Sequence, residues 1–136
     1  MKNLKLTLLL LAVFLLAGCN SSPAAVKPLT RVVTGITIST NGELHCYSSS
    51  DSLEAILAYL RHLDLRGGPV EPPSTLEGVY DITLTYSDGF QQRYQQRANC
   101  CFLDADGIWR PIDETTAMNL SKLFHLLEPD TTVPAI

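Results

Sequence analysis

The segment Val79 to Tyr86 alternates without a break, and this constrains the fold more than any other feature of the 136-residue chain. Tyr80, Ile82, Leu84 and Tyr86 point one way, and Val79, Asp81, Thr83 and Thr85 the other. Neighbouring side chains of a strand face opposite sides, so the segment predicts a strand with one apolar and one wet face. Strands of that kind belong to antiparallel sheets covered on one side only. The Ser87-Asp88-Gly89 segment that follows predicts a three-residue hairpin loop. That length pairs Tyr86 with Phe90 and Ile82 with Tyr94, whereas a two-residue loop sets Leu84 opposite Arg93 and Tyr86 opposite Gln91.

Carrying the same parity onward, Phe90 to Leu103 is expected to continue as one strand. Phe90, Tyr94, Ala98, Cys100 and Phe102 then share the inner face, with Gln91, Arg93, Gln95, Arg97 and Asn99 outside. Cys100 points inward and Cys101 outward, unless a bulge intervenes. Asp104-Ala105-Asp106-Gly107 turns the chain into a last short strand, Ile108 to Ile112, whose phase leaves open whether Ile108 or Trp109 is buried. Upstream, Val32 to Ser39 and Glu43 to Tyr47 flank Thr40-Asn41-Gly42 and predict another hairpin. A two-residue turn sets Ile38 against His45 and Ile36 against Tyr47. A three-residue loop with a bulge sets Ile38 against Leu44 and Ile36 against Cys46. The second option gathers four apolar groups on one face and is preferred, which turns Cys46 inward.

Two helices complete the pattern. Leu53, Ile56, Leu57, Leu60 and Leu63 recur at helical spacing, with Asp51 and Glu54 placed as a capping box. Ala117, Leu120, Phe124 and Leu127 form a second stripe behind Asp113, which is placed to cap Glu114 to Leu127. Between the first helix and the alternating strand, Gly67 to Thr75 carries three prolines and is too long for a tight turn. The expected fold class is α+β. It is a two-layer domain with a mostly antiparallel sheet of about five strands and two helices on one face, in the order β-β-α-β-β-β-α.

The amino-terminal residues are of another kind. Lys2 and Lys5 precede an apolar run from Leu6 to Ala17, about 12 residues against the roughly 20 needed to cross a bilayer core. A basic start followed by a short apolar run is the layout of an export signal. It ends in Leu16-Ala17-Gly18-Cys19: an aliphatic residue, two small ones and a thiol. These four residues resemble the lipobox of bacterial lipoproteins. The resemblance covers only the first 19 residues. It implies cleavage before Cys19, lipidation of the Cys19 sulfur and new amino group, and a membrane anchor. By the same resemblance Asn20, where an aspartate would favour retention at the inner membrane, leans toward the outer membrane, with the inner membrane as the alternative. The expected organisation is a cleaved signal over 1–18, lipidated Cys19 and a proline-containing tether over 19–30, one α+β domain over 31–128, and a disordered tail over 129–136.

Loss of the leader removes Lys2 and Lys5. The 10 basic residues fall to 8 against 14 acidic ones, and the formal charge moves from −4 to −6. An acidic domain lacks the basic footprint that nucleic acid requires, so no nucleic-acid partner is expected. With Cys19 lipidated, Cys46, Cys100 and Cys101 remain, an odd number for an oxidising compartment. The expected disulfide joins Cys46 to Cys100, with Cys101 as the alternative partner. It would close a loop of about 55 residues, worth roughly 4 kcal/mol by chain entropy. A bond between adjacent Cys100 and Cys101 ranks lower, because it closes a strained eight-membered ring.

Candidate chemistry is sparse. His45 and Cys46 are adjacent in a strand and face opposite ways, which disfavours a base–thiol pair. The cysteines lack zinc-site spacing, and Asp104 with Asp106 lacks the remaining ligands of a calcium loop, so no metal and no cofactor are expected. No catalytic residues are assigned, and the chain is expected not to be an enzyme. The outer face of the long hairpin is the candidate binding surface. There Arg93, Gln95 and Arg97 lie opposite Asp81, Thr83 and Thr85, and arginine suits capture of carboxylate or phosphate. The expected role is a lipid-anchored, non-enzymatic interaction or assembly module in the periplasm, working through this face or the proline loop on another envelope protein. The alternative is a small-ligand or glycan-binding lipoprotein with a pocket rimmed by Tyr47, Tyr59 or Tyr80. An envelope enzyme ranks last.

Overall fold

The computed structural model describes residues 32–75 and 77–135. The expected signal, the lipobox-like Leu16-Ala17-Gly18-Cys19 and the expected tether therefore lie outside the described residues. The chain runs β1 (Val33–Thr40), β2 (Glu43–Tyr47), α1 (Ser50–Arg61), β3 (Tyr80–Tyr86), β4 (Gln91–Arg97), β5 (Cys101–Leu103), β6 (Trp109–Pro111), α2 (Glu114–Leu126) and β7 (Thr131–Pro134). All seven strands form one antiparallel sheet in the order β6-β5-β4-β3-β1-β2-β7.

The two-layer antiparallel architecture is as expected, but the strand count is higher for two reasons. The expected single strand from Phe90 to Leu103 breaks at Ala98 and Asn99, both in the left-handed region at φ 54° and 55°. Cys100 N donates to Arg97 O at 3.2 Å and closes a tight turn there, so β5 folds back on β4 with Arg97 opposite Cys101. A left-handed alanine is unfavourable in isolation, which is why alternation alone does not reveal the turn. The segment expected to be a disordered tail contains β7, which pairs along β2 from Glu43–Pro134 to Cys46–Thr131.

The β1–β2 hairpin departs from expectation in register. Ile36 lies opposite Tyr47 and Ile38 opposite His45, so the loop is the two-residue Asn41-Gly42 and not the bulged three-residue form. Asn41 and Gly42 both have positive φ, 51° and 76°, the type I′ geometry whose twist matches the strands it joins. Gathering Leu44 and Cys46 on the inner face would put Tyr47 outside. The large tyrosine is the residue the core takes in, at 2% exposure. Every side chain of β2 thereby sits on the face opposite to the expected one. In the β3–β4 hairpin the three-residue loop holds. Ile82 pairs with Tyr94, and Tyr86 N donates to Phe90 O.

Both helices cover the same face of the sheet. Ile36, Ile38, Ile82, Leu84 and Phe102 from the strands pack with Leu53, Ile56 and Leu60 of α1 and Leu120 of α2. Asp113 caps α2 as expected, its carboxylate accepting from Thr116 N at 3.0 Å. For α1 the cap is Ser49, which accepts from Ser52 N, and Asp51 lies within the first turn, where a carboxylate favours the helix dipole. The core also takes in Gln96, wholly buried on β4. Its Nε2 donates to Ala117 O of α2 at 3.0 Å, and its Oε1 accepts from the Tyr59 hydroxyl of α1. One amide thus ties both helices to the sheet.

Candidate functional site

The opposite face of the sheet carries the alternate residues. Across β2, β1, β3 and β4 these include Cys46, Thr37, Thr83 and Arg93, which stand in register as a row. None of the four is buried. In the adjoining row Asp81 accepts from Gln95 Nε2 at 2.6 Å and lies 3.8 Å from Nη2 of Arg93. The Arg93 side chain is 75% exposed. An ion pair so long and so wet contributes at most about 1 kcal/mol, so Arg93 can exchange Asp81 for another acceptor at little cost.

Arg97 behaves differently. Its Nη2 donates to Gln95 Oε1 at 2.7 Å, and its Nη1 donates to Pro73 O at 3.3 Å. Its guanidinium carbon lies 5.0 Å from the ring centre of Trp109, a cation–π contact. Nε of Arg97 is buried and makes no hydrogen bond. The two arginines, grouped together by strand parity, therefore do different work. Arg93 projects from the face, and Arg97 fastens the proline loop to it. The open phase of the last strand is resolved as well: Trp109 pairs with Leu103 on this face, under Arg97.

The proline loop is a strap along the edge strand β6. Val70 N donates to Trp109 O at 3.0 Å, Arg110 Nη1 donates to Gly67 O at 3.0 Å, and Arg97 reaches Pro73. Gly67 is required at its contact with Pro111, because a Cβ there would come within 2.5 Å of the Pro111 ring. Arg110 is held in turn by Asp104, whose carboxylate accepts from Arg110 Nε at 3.2 Å and from the backbone N–H groups of Asp106 and Ile108. One oxygen of Asp104 thus closes the hairpin turn and the other holds Arg110.

The expected disulfide between Cys46 and Cys100, or Cys101, is not formed; all three thiols are free. Cys46 lies on β2, and β1, β3 and β4 stand between it and β5. Four strand spacings amount to about 19 Å, against the 4.4–6.8 Å between Cα atoms that a disulfide spans. Cys100 and Cys101 instead meet each other, with Sγ atoms 3.1 Å apart. Burial, followed by the contact with Cys100, pushes the Cys101 thiol up to about 11. His45 and Cys46 do face opposite ways. The His45 ring meets Phe124 of α2 edge-on at 4.7 Å, while Cys46 pairs with Thr37 on the open face.

The tyrosines expected at a pocket rim are parts of the core. Tyr59 bonds Gln96, Tyr80 lies edge-on to Phe124, and Tyr47 is buried with its hydroxyl unpartnered. Burial disfavours the charged phenolate and pushes the pKa of both Tyr47 and Tyr59 above the ordinary tyrosine value. Among the described residues, no group of three or more His, Cys, Asp or Glu side chains is placed to hold a metal ion. Sequence reasoning missed Gln96 and the αL turn at Ala98-Asn99. The inward parity of position 96, shared with Tyr94, was the available signal for Gln96. Comparison with family models, with curated proteins and with solved structures finds no match to this chain.

Proposed function

We propose that the chain is a lipid-anchored lipoprotein of the bacterial cell envelope, held at the outer membrane through Cys19. In this reading it is a non-enzymatic module that docks another envelope protein on its open sheet face. Leu16-Ala17-Gly18-Cys19 supports the anchor. Among the described residues no helix is long and apolar enough to cross a membrane. The docking role rests on Arg93, a 75% exposed guanidinium at the end of a row whose other members are threonines and a thiol. Such a surface offers one exchangeable cation and several hydroxyls, which suits an acidic protein segment better than an apolar one. Because Arg97 is tied to the proline loop, the docking surface centres on Arg93, Thr83 and Thr37.

A photo-crosslinking side chain at Thr37 or Thr83, in cells, tests the face. The same probe at Glu54 or Lys122 on the helices serves as control. A protein adduct from the sheet positions that Arg93→Glu diminishes is the expected outcome. Equal labelling from both sides of the domain refutes the docking surface. Independently, Cys19→Ala should move the protein from the membrane fraction to the soluble one, and a variant that stays with the membrane refutes the anchor.

The second reading, a ligand- or glycan-binding lipoprotein, has a groove of about 700 Å³ lined by Asp64, Arg66, Gly67, Pro111, Ile112 and Asp113. Its arginine is already committed, however, since Arg66 donates twice to Asp64 at 2.9 and 3.0 Å.

A further inference from the structure

Adjacent residues in a regular strand send their side chains to opposite faces, so two neighbouring cysteines would ordinarily hold their sulfurs apart. Here they do not. Cys100 occupies the end of the left-handed turn formed by Ala98 and Asn99, and the strand resumes only at Cys101. The backbone of Cys100 is held on both sides: its N–H donates to Arg97 O at 3.2 Å, and its carbonyl accepts from Ile112 N at 2.9 Å. Ahead of it, Ala98 N donates to Gly78 O at 3.1 Å. The turn is thus tied to the start of β3 and to the chain leaving β6. The two sulfurs stand 3.1 Å apart, roughly 1 Å beyond the ~2.05 Å of a disulfide bond.

We propose that Cys100 and Cys101 are a reversible redox site that closes to a vicinal disulfide by exchange with a disulfide donor, such as glutathione disulfide or an oxidised protein thiol pair. Cys100 is the attacking residue, because it is half-exposed while Cys101 is 5% exposed. Its thiolate displaces one thiol from the donor and forms a mixed disulfide. The Cys101 sulfur then loses its proton to solvent and attacks the Cys100 sulfur, and the second donor thiol leaves. Two thiols are oxidised to one disulfide, and one donor disulfide is reduced to two thiols. The second step is the slower one, since Cys101 is 5% exposed and burial disfavours its thiolate. Cys46 cannot compete, with three strands intervening. Closure also bears on the binding face, because Cys101 lies opposite Arg97, the residue that holds Trp109 and the proline loop. The chemistry is independent of the docking partner and of the lipid anchor.

The full chain, purified in detergent, reduced and freed of reductant, is incubated with glutathione disulfide. It is then acid-quenched, treated with N-ethylmaleimide and mapped by mass spectrometry. The expected result is a peptide spanning Cys100 and Cys101 that is 2 Da lighter and unalkylated, with Cys46 alkylated. Cys46→Ser should leave this result unchanged. Cys100→Ser should abolish it while thermal unfolding shows that the variant still folds. Oxidation should also shift the Trp109 emission, since Trp109 is the chain's one tryptophan. Alkylation of both Cys100 and Cys101 after exposure, a glutathione adduct that persists on Cys100, or a bridge to Cys46 would each overturn the proposal.

Discussion

Replacing Gln96 by Met tests whether one buried amide holds the two helices to the sheet. Gln96 is fully buried, donates to Ala117 O at 3.0 Å and accepts from the Tyr59 hydroxyl. Methionine fills a similar volume without polar atoms, so the cavity contribution is small. Ala117 O lies in α2 and keeps its helical partner four residues on. The Tyr59 hydroxyl, by contrast, loses its acceptor, at a cost of about 1–3 kcal/mol for a part-buried orphan. Adding about 1 kcal/mol for the lost bond to Ala117, Gln96→Met should cost about 2–4 kcal/mol. Tyr59→Phe strands the Gln96 Oε1 and should cost about 1–3 kcal/mol. The double variant strands neither group and should cost only about 1 kcal/mol, well under the sum of the single changes. Urea unfolding of the four proteins provides the cycle. Additivity within about 0.5 kcal/mol would refute the coupling and with it the role assigned to Gln96.

Tyr47→Phe removes a buried hydroxyl that has no partner and should stabilise the protein by about 1 kcal/mol, visible as a higher urea midpoint at unchanged slope; a loss of stability would mean that the hydroxyl is satisfied in solution. Burial pushes up the pKa of Tyr47, Tyr59 and Tyr94, the last to about 12 with Tyr86 and Asp104 adding to the effect. Unfolded tyrosines ionise near 10, so above that pH the unfolded chain binds fewer protons than the native one and stability falls as pH rises. The contribution is complete below pH ~10 and is progressively lost toward pH ~12, so equal urea midpoints at pH 9 and 11 would contradict it. A chain ending at Asp130 lacks β7 and exposes the β2 edge from Glu43 to Cys46, which should promote self-association. Sedimentation showing the truncated chain as monomeric as the full one would argue that β7 does not protect that edge.

Much of the fold was legible because hydrophobic periodicity and capping chemistry are local. The alternation of Tyr80 to Tyr86, the Ser87-Asp88-Gly89 loop and the Asp113 cap are each decided within a few residues, and each stands as read. The differences have separate physical causes. Strand parity propagates, so one misjudged turn length inverts the strand that follows it. At Asn41-Gly42 a count of apolar residues outweighed the turn chemistry, and Cys46 was assigned to the wrong face. At Ala98-Asn99 no glycine or proline marks the turn, and the left-handed backbone is sustained by tertiary hydrogen bonds to Gly78 and Ile112. Strand β7 was missed because its residues are all exposed and its stability comes from pairing with β2.

The candidate site divides along the same line. From the sequence alone, Arg93, Gln95 and Arg97 share a face, and Leu16-Ala17-Gly18-Cys19 resembles a lipobox. These are matters of period and of a short motif, which need no partner elsewhere in the chain. Only the tertiary structure decides that Arg93 stays exposed while Arg97 is spent on Trp109 and Pro73, that Gln96 belongs to the core, and that Cys100 meets Cys101 rather than Cys46. Each of these depends on strand order and on a loop returning from far along the chain. Those are set by the free energy of the whole packed domain, which no local pattern encodes.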